Sequence, residues 1–139
     1  MARTVPADHP AFASLPVTHV PLASGVRAAV HVAGQLSSRL RPVVCLAGYQ
    51  RNMSDFTEFS AFFHRVRGGD WPVVLLDLPG RGRADDRRRP GDYGSLADAA
   101  DVASVLTALG IGRAIVLGQG HGGQVAMALA ASHPLLIAG

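Results

Sequence analysis

A glycine-rich turn holds the residues whose types and spacing could do chemistry. Residues 118–123 read Gly-Gln-Gly-His-Gly-Gly, after an apolar run at 114–117 and before a run rich in Ala, Leu and Met at 124–131. The first run is typical of a buried strand and the second of a helix. Four glycines in a strand-to-helix turn indicate positive φ angles, or backbones packed too closely for a Cβ.

Two known chemistries use such a turn. A nucleophile elbow, G-x-S-x-G, lifts a reactive side chain above the sheet, and here Gly120 would occupy the nucleophile position. A dinucleotide site, G-x-G-x-x-G, holds a pyrophosphate at a helix N-terminus, and Gly118, Gly120 and Gly123 fit that spacing. The local sequence is compatible with both, so the order of the surrounding elements must decide.

Composition limits the function classes. With 139 residues, 48% of them hydrophobic and 17% charged, the chain is one domain or part of one, with enough apolar residues for a core. All thirteen basic residues are arginines and they are scattered, which favours a compositional bias over a nucleic-acid surface. Cys45 lies in an apolar run and is expected to be a small buried hydrophobe. No His or acidic residues show metal-ligand spacing, so we expect no metal and no cofactor.

Targeting and membrane signals are weak. The N-terminal residues include Asp8, His9 and two prolines where a signal peptide would need an apolar segment. Residues 114–139 carry no charge, but the polar residues of the glycine turn and the His133-Pro134 pair interrupt that stretch as a membrane span. These patterns predict a cytoplasmic protein that does not span a membrane.

The elements that must position the turn follow an alternating order. Residues 1–15 are predicted to be a mobile arm, followed by a hairpin of strands at 17–22 and 26–32. Three further strands are predicted at 42–46, 72–77 and 113–117, and helices near 55–67, 95–109 and 121–132. Alternating strands and helices predict an α/β fold with a mostly parallel, doubly wound sheet. In that order, the strand before the turn lies next to strand 42–46, which has strand 72–77 on its other side.

The helix predicted at 95–109 has a polar start. Ser95 and Asp98 have capping-box spacing, with Asp in place of Glu. The helical period places Leu96 on the apolar face and both Asp98 and Asp101 away from it. We therefore expect both carboxylates to lie on the solvent side.

With these elements in order, the chain resembles the α/β-hydrolase family over roughly residues 17–139. Besides the hairpin, three motifs match at their expected places. Residues 46–49, Leu-Ala-Gly-Tyr, resemble the His-Gly loop after the third strand, and residues 77–83 resemble the Asp-x-x-Gly-x-Gly-x loop after the fourth. Leu-Gly-Ile at 109–111 precedes the elbow strand and the turn at 118–123. Residues 45–56 are particularly similar to bacterial single-domain esterases, lactonases and C–C hydrolases.

The resemblance implies a site and a function. Residues 16–139 would be the N-terminal half of a hydrolase domain, truncated before the sixth strand, after which the family's acid and base histidine come. The oxyanion donors would be the backbone N–H groups of Tyr49 and His121, and Gln119 and His121 would line the substrate pocket. Gly120 has no side chain, so no covalent nucleophile is expected. The partners expected are a small-molecule ligand, and a second copy or another protein covering the open sheet edge.

Two hypotheses from different classes therefore stand. Either the chain is the N-terminal half of a hydrolase-like protein, inactive by classical nucleophilic chemistry, with a binding or scaffolding role or none. Or it belongs to an enzyme whose active form, with a C-terminal half, uses the pocket without a covalent nucleophile, for example by activating water. The dinucleotide alternative is weaker, because that fingerprint normally follows the first strand of its βαβ unit and here at least two βα units precede it.

Overall fold

Five strands form one mixed sheet in the computed structural model, which describes residues 8–10, 12–37, 39–89, 91 and 93–139. The strands are β1 (Thr18–Pro21), β2 (Arg27–Ala33), β3 (Val43–Leu46), β4 (Val73–Asp77) and β5 (Ile115–Gly118). The helices are α1 (Thr57–Arg67), α2 (Ser95–Ala108) and α3 (His121–Ser132). Short 3₁₀ turns lie at Phe12–Ser14, Met53–Phe56 and Pro134–Leu136. All six predicted core elements of the β-α repeat are confirmed.

The strand order is β1-β2-β4-β3-β5. β1 and β2 form the predicted antiparallel hairpin, and β2 runs antiparallel to β4. β3 pairs in parallel with both β4 and β5, so that Val43 lies opposite Val73 on one side and Ile115 on the other. The prediction that the elbow strand adjoins the strand starting near Pro42 is confirmed. Every residue of β3 and of β4 is buried, as expected of central strands covered on both faces.

Helices cover both faces of this sheet, which confirms the doubly wound arrangement. On one face, residues of α2 and α3 such as Val102 and Leu129 pack against the strands. On the other face, Met53 and Phe56 are buried and Phe63 of α1 packs beside them. Phe62 and Val66 of α1 are exposed, so only part of the apolar residues of this helix face the sheet. Among the described residues, no helix is long and apolar enough to cross a membrane.

The outer edge of β5 is partly covered by the chain itself. Ala114 N donates to Leu136 O at 2.8 Å, Ala138 N donates to Ala114 O at 2.8 Å, and Val116 N donates to Gly139 O at 2.9 Å. Ala114 and Ile137 form a parallel bridge. The sequence led us to expect this edge to be open, and that prediction is wrong. The short turn at Pro134–Leu136 brings the chain back beside β5.

Part of the predicted N-terminal arm, residues 1–7 and 11, lies outside the described residues. The described part contacts the domain. Asp8 Oδ1 accepts a hydrogen bond from Asn52 Nδ2 at 2.7 Å, and His9 N donates to Ser54 Oγ at 3.3 Å. The boundary at residue 15 and the mobility of the arm stay predictions.

Candidate functional site

Gly120 connects β5 to α3 with an unusual backbone. Its φ of 58° and ψ of −118° lie in a region that residues with a Cβ adopt only under strain. The space around it is open, since a Cβ added there would meet only Gly48 Cα, at 3.9 Å. A side chain at position 120 would therefore fit sterically, and the backbone conformation alone favours glycine.

Two neighbouring glycines are needed for a different reason, which is close packing. A Cβ on Gly118 would lie 2.3 Å from Gly122 O, and one on Gly122 would lie 2.1 Å from Leu46 O. The first turn of α3 thus presses against the end of β3. Gly123 is not required in this way, because its Cβ would make an ordinary contact of 3.6 Å with Gly118 O. Both predicted reasons for the glycines hold, but they apply to three of the four.

The two predicted oxyanion donors lie at the same end of the sheet. The loop after β3 approaches the elbow through Gly48, whose Cα is the nearest atom to the open space at Gly120. Within the described residues, no backbone carbonyl accepts a hydrogen bond from the N–H of Tyr49 or of His121. Two uncommitted N–H groups beside the elbow could hold the oxygen of a polarised carbonyl.

Asp98 is the main correction to the sequence interpretation. This carboxylate was expected on the solvent side of α2, yet it has no exposed surface, and Asp101 is buried as well, whereas Leu96 is 76% exposed. The capping box is also wrong, because α2 has Gly94 as its N-cap and no side chain caps it. The helix turns its carboxylates inward because arginines of the preceding loop are there to neutralise them.

Three side chains converge on Asp98. Arg81 contacts both of its oxygens, with Nη1–Oδ1 at 3.0 Å and Nη2–Oδ2 at 2.7 Å. Arg87 Nη2 donates to Oδ1 at 2.7 Å and lies 2.6 Å from Asp101 Oδ2. His121 Nε2 lies 3.0 Å from Asp98 Oδ2. The β4–α2 loop, the start of α2 and the elbow are therefore joined at one buried carboxylate.

These contacts decide the charge of the carboxylates. Burial by itself raises the pKa of Asp98, but hydrogen bonds from Arg81, His121 and Arg87 and the Arg81 charge outweigh burial and hold that pKa below its usual value. Burial raises the pKa of Asp101, and Arg87 only partly offsets the rise. Asp98 is therefore ionised at neutral pH. An ionised carboxylate only accepts hydrogen bonds, so Nε2 of His121 carries the proton in this contact.

An open cleft of about 710 Å³ lies over this cluster. Tyr49, Arg81, Arg87, Tyr93 and His121 are among the residues that line it. A cavity of about 20 Å³ beneath it, with Asp77, Asp98 and His121 in its wall, has room for one water. Of the predicted site residues, Tyr49 and His121 thus line the same cleft.

Gln119 is placed differently from the other predicted pocket residues. It is exposed, and it is not among the cleft-lining residues within the described part of the chain. Its backbone serves the turn, since Gln119 N donates to Leu46 O at 3.1 Å and Gln119 O accepts from Gly122 N at 2.9 Å. Its role as a pocket residue stays a prediction.

Asp77, at the end of β4, links two loops. Its Oδ1 accepts from Met53 N at 2.8 Å and its Oδ2 accepts from Arg83 N at 3.1 Å. Burial raises the pKa of Asp77 against these two hydrogen bonds. Gly82 has a φ of 47°, and a Cβ there would lie 2.0 Å from Asp77 Oδ2, so the loop wraps directly onto the carboxylate. This explains the Asp-x-x-Gly-x-Gly pattern as a structural one. No group of three or more His, Cys, Asp or Glu side chains in the described residues is placed to hold a metal ion.

The sequence contains a pattern around Asp98 that bears on its pairing and that the prediction for α2 did not use. Asp98 and Asp101 are the only charged residues in α2, three positions apart, and an arginine-rich loop precedes them. A buried charge needs an opposite charge beside it, and the arginines of that loop are available as partners.

Comparison with known proteins matches residues 41–139 to a family described as alpha/beta hydrolase fold. A 2-hydroxy-6-oxononadienedioate/2-hydroxy-6-oxononatrienedioate hydrolase of Burkholderia vietnamiensis is 40% identical over 78 residues, which are 53% of this chain and 27% of that protein. A serine hydrolase-like protein of Danio rerio is 32% identical over 97 residues, 70% of this chain and 28% of that protein. The crystal structure of an alpha/beta hydrolase from Novosphingobium aromaticivorans has a TM-score of 0.77 and 31% identity, and the match covers 88% of this chain and 41% of that one. The matched residues thus span little more than a quarter of these curated relatives.

Proposed function

Because the chain belongs to the alpha/beta hydrolase fold family, we propose that it binds a small ester or related acyl compound at the elbow. The carbonyl oxygen of the ligand lies between the backbone N–H groups of Tyr49 and His121, and the rest of the ligand extends into the cleft. The relatives' names support a hydrolytic activity on a small molecule, since one is a hydrolase of a dienedioate.

We propose further that this activity does not pass through a covalent acyl-enzyme at the elbow. The observation that carries this is Gly120, whose φ of 58° would strain a residue with a Cβ and which has no side chain to attack a carbon. No Ser, Thr, Cys, Asp or Glu occurs at positions 118–131, so a shift of register does not supply a nucleophile. The nucleophile-elbow interpretation is preferred over a dinucleotide site because β5 follows β3 and β4 rather than opening its own βαβ unit.

Covalent chemistry is tested with para-nitrophenyl acetate. Nitrophenolate release is followed from the first seconds, and the protein is then examined by intact-mass and peptide mass spectrometry. We expect no burst and no acetyl group on the peptide that contains Gly120. A stoichiometric burst, with acetylation of residues in the turn, would contradict the proposal.

Ligand binding is tested separately by NMR, with butanoate as the probe because it is the acid released from a butanoyl ester. We expect the amide signals of Tyr49 and His121 to shift saturably during the titration. The amides of Ala28 and Ala29, buried in the hairpin strand β2, serve as the internal control and should not move. Unchanged Tyr49 and His121 signals at high butanoate concentration would overturn the proposed binding site.

A further inference from the structure

His121 is held in an orientation that leaves one ring nitrogen available. Its Nε2 donates to Asp98 Oδ2 at 3.0 Å, and Nδ1 makes no hydrogen bond with the described residues. The His121 side chain is 20% exposed, whereas that of Asp98 is fully buried. A neutral imidazole protonated on Nε2 has its lone pair on Nδ1, where it can accept a proton.

We propose that His121 is the base that activates a water molecule at the elbow, and that Asp98 positions its ring. The inference rests on the proposed function, because it needs an acyl compound bound at Tyr49 and His121. In this proposal, water takes the place of the side-chain nucleophile that Gly120 lacks. The buried ion-pair cluster then orients the base in addition to holding the loop to α2.

The open space at Gly120 supports this assignment. A Cβ there would meet only Gly48 Cα, at 3.9 Å, so the volume beside the elbow is free for water or for the reacting carbon. His121 follows directly in the chain and lines the same cleft as Tyr49. The proposed base and the Tyr49 donor therefore border the same cleft.

The reaction step balances without any further reagent. The water oxygen forms a bond to the acyl carbon while one water proton passes to Nδ1 of His121. The carbonyl electron pair moves to its oxygen, which the two backbone N–H groups stabilise. When the tetrahedral intermediate collapses, the bond to the leaving oxygen breaks and Nδ1 returns the proton to it. The products are a carboxylic acid and an alcohol, and His121 is regenerated.

Asp98 acts in this scheme only through His121. Its carboxylate fixes the tautomer and the ring orientation, as carboxylates commonly do for histidines that bind metals or transfer protons. The alternative is an ion-pair cluster that serves stability alone. The two differ in what the loss of the imidazole does to turnover in a folded protein.

The test measures burst-free hydrolysis of para-nitrophenyl acetate by the parent chain and by His121→Gln. A general base contributes about 10²–10⁴-fold, so we expect the variant to lose at least about 100-fold in kcat. His133→Gln is the matched control, because His133 is exposed, lies at the far end of α3 and corrects for surface imidazoles. It should hydrolyse the ester as the parent does. Free imidazole should restore part of the activity to His121→Ala. A His121→Gln variant as active as the parent would overturn the assignment, and so would a parent chain without turnover.

Asp98 is tested by a spectroscopic readout because its variants could unfold. NMR of the histidine ring nitrogens in the parent should show His121 protonated on Nε2 at neutral pH. In folded Asp98→Asn we expect a mixture of tautomers and a lower kcat with unchanged KM. An Nδ1-protonated ring in the parent contradicts the proposal whatever the variant does.

The two proposals fail in distinguishable ways. Butanoate shifts at Tyr49 and His121 without any His121-dependent turnover would leave the binding site standing and refute the base. An acyl-enzyme burst would instead refute the non-covalent function.

Discussion

Substituting Gly120 by alanine tests the elbow geometry directly. The added Cβ meets nothing closer than 3.9 Å, so crowding contributes little and the cost is that of the backbone conformation. A residue with a Cβ at a φ of 58° and a ψ of −118° is strained by roughly 1–3 kcal/mol. We therefore expect Gly120→Ala to lower the free energy of unfolding by about that amount, and Gly120→Ser to do the same.

Alanine substitutions at two other glycines serve as references for the stability of Gly120→Ala. Gly69→Ala is the control, because its Cβ would have nothing within 4 Å and its φ lies outside the strained region, so stability should stay the same or rise by up to about 1 kcal/mol. Gly122→Ala places a Cβ 2.1 Å from Leu46 O, a backbone atom that cannot rotate away. It should be the most destabilising of the three, at or above about 3 kcal/mol.

Urea unfolding followed by circular dichroism measures all three. With a slope of about 2 kcal/mol per molar urea, a loss of about 2 kcal/mol moves the midpoint about 1 M lower. We expect the order Gly69→Ala, Gly120→Ala, Gly122→Ala from most to least stable. If Gly120→Ala is as stable as Gly69→Ala, the elbow is not strained and the placement of the nucleophile position is wrong.

Three further predictions concern the buried cluster, the cysteine and the sheet edge. Asp98→Ala should lower the free energy of unfolding by about 3–5 kcal/mol, because it leaves the buried charges of two arginines without the carboxylate that pairs with them. Since the pKa of Asp98 is lowered in the folded chain, the stabilisation by its charge is complete above the ordinary carboxyl pKa and is lost as pH falls through the folded pKa. The urea midpoints of the parent and of Asp98→Ala should therefore converge on acidification. A difference between the midpoints that stays constant with pH would contradict the charge assignment. Burial raises the pKa of Cys45 to about 12, so Ellman's reagent should leave it unmodified in the native protein and react with it after unfolding; rapid native labelling would refute this. We also propose self-association through the apolar surface at β5 that residues 136–139 leave uncovered, where Leu117 is 38% exposed; a single monomeric species in sedimentation at all concentrations would argue against it.

The strands and their order could be predicted because strands that are buried on both faces consist of continuous runs of apolar residues. The continuous apolar runs of β3 and β4 are typical of strands that are covered on both faces of a sheet. The turn from β5 into α3 could also be predicted, because close backbone contacts require glycine and the turn contains four glycines. Local constraints of this kind act within a few residues, so a single sequence records them.

Asp98 could not be placed by the same means, because its partners are distant in the sequence. They lie 11, 17 and 23 positions away, in a loop and in the next helix. Helical periodicity assigns a polar residue to solvent when no partner is known, and here that rule was wrong. The outer edge of β5 was misjudged similarly, since the return of residues 136–139 depends on a turn that carries no strong sequence pattern.

The cluster around Asp98 fixes the orientation of the carboxylate as well as its charge. One arginine would neutralise the carboxylate, yet Arg81 binds both of its oxygens and Arg87 binds Oδ1 again. A carboxylate held at both oxygens cannot rotate without breaking a buried, charge-assisted hydrogen bond. The direction in which Oδ2 meets His121 Nε2 is therefore set by the loop and α2, not by the histidine. Such pre-organisation is what a proton acceptor beside the elbow requires, because a base that must reorient during the reaction loses much of its effect.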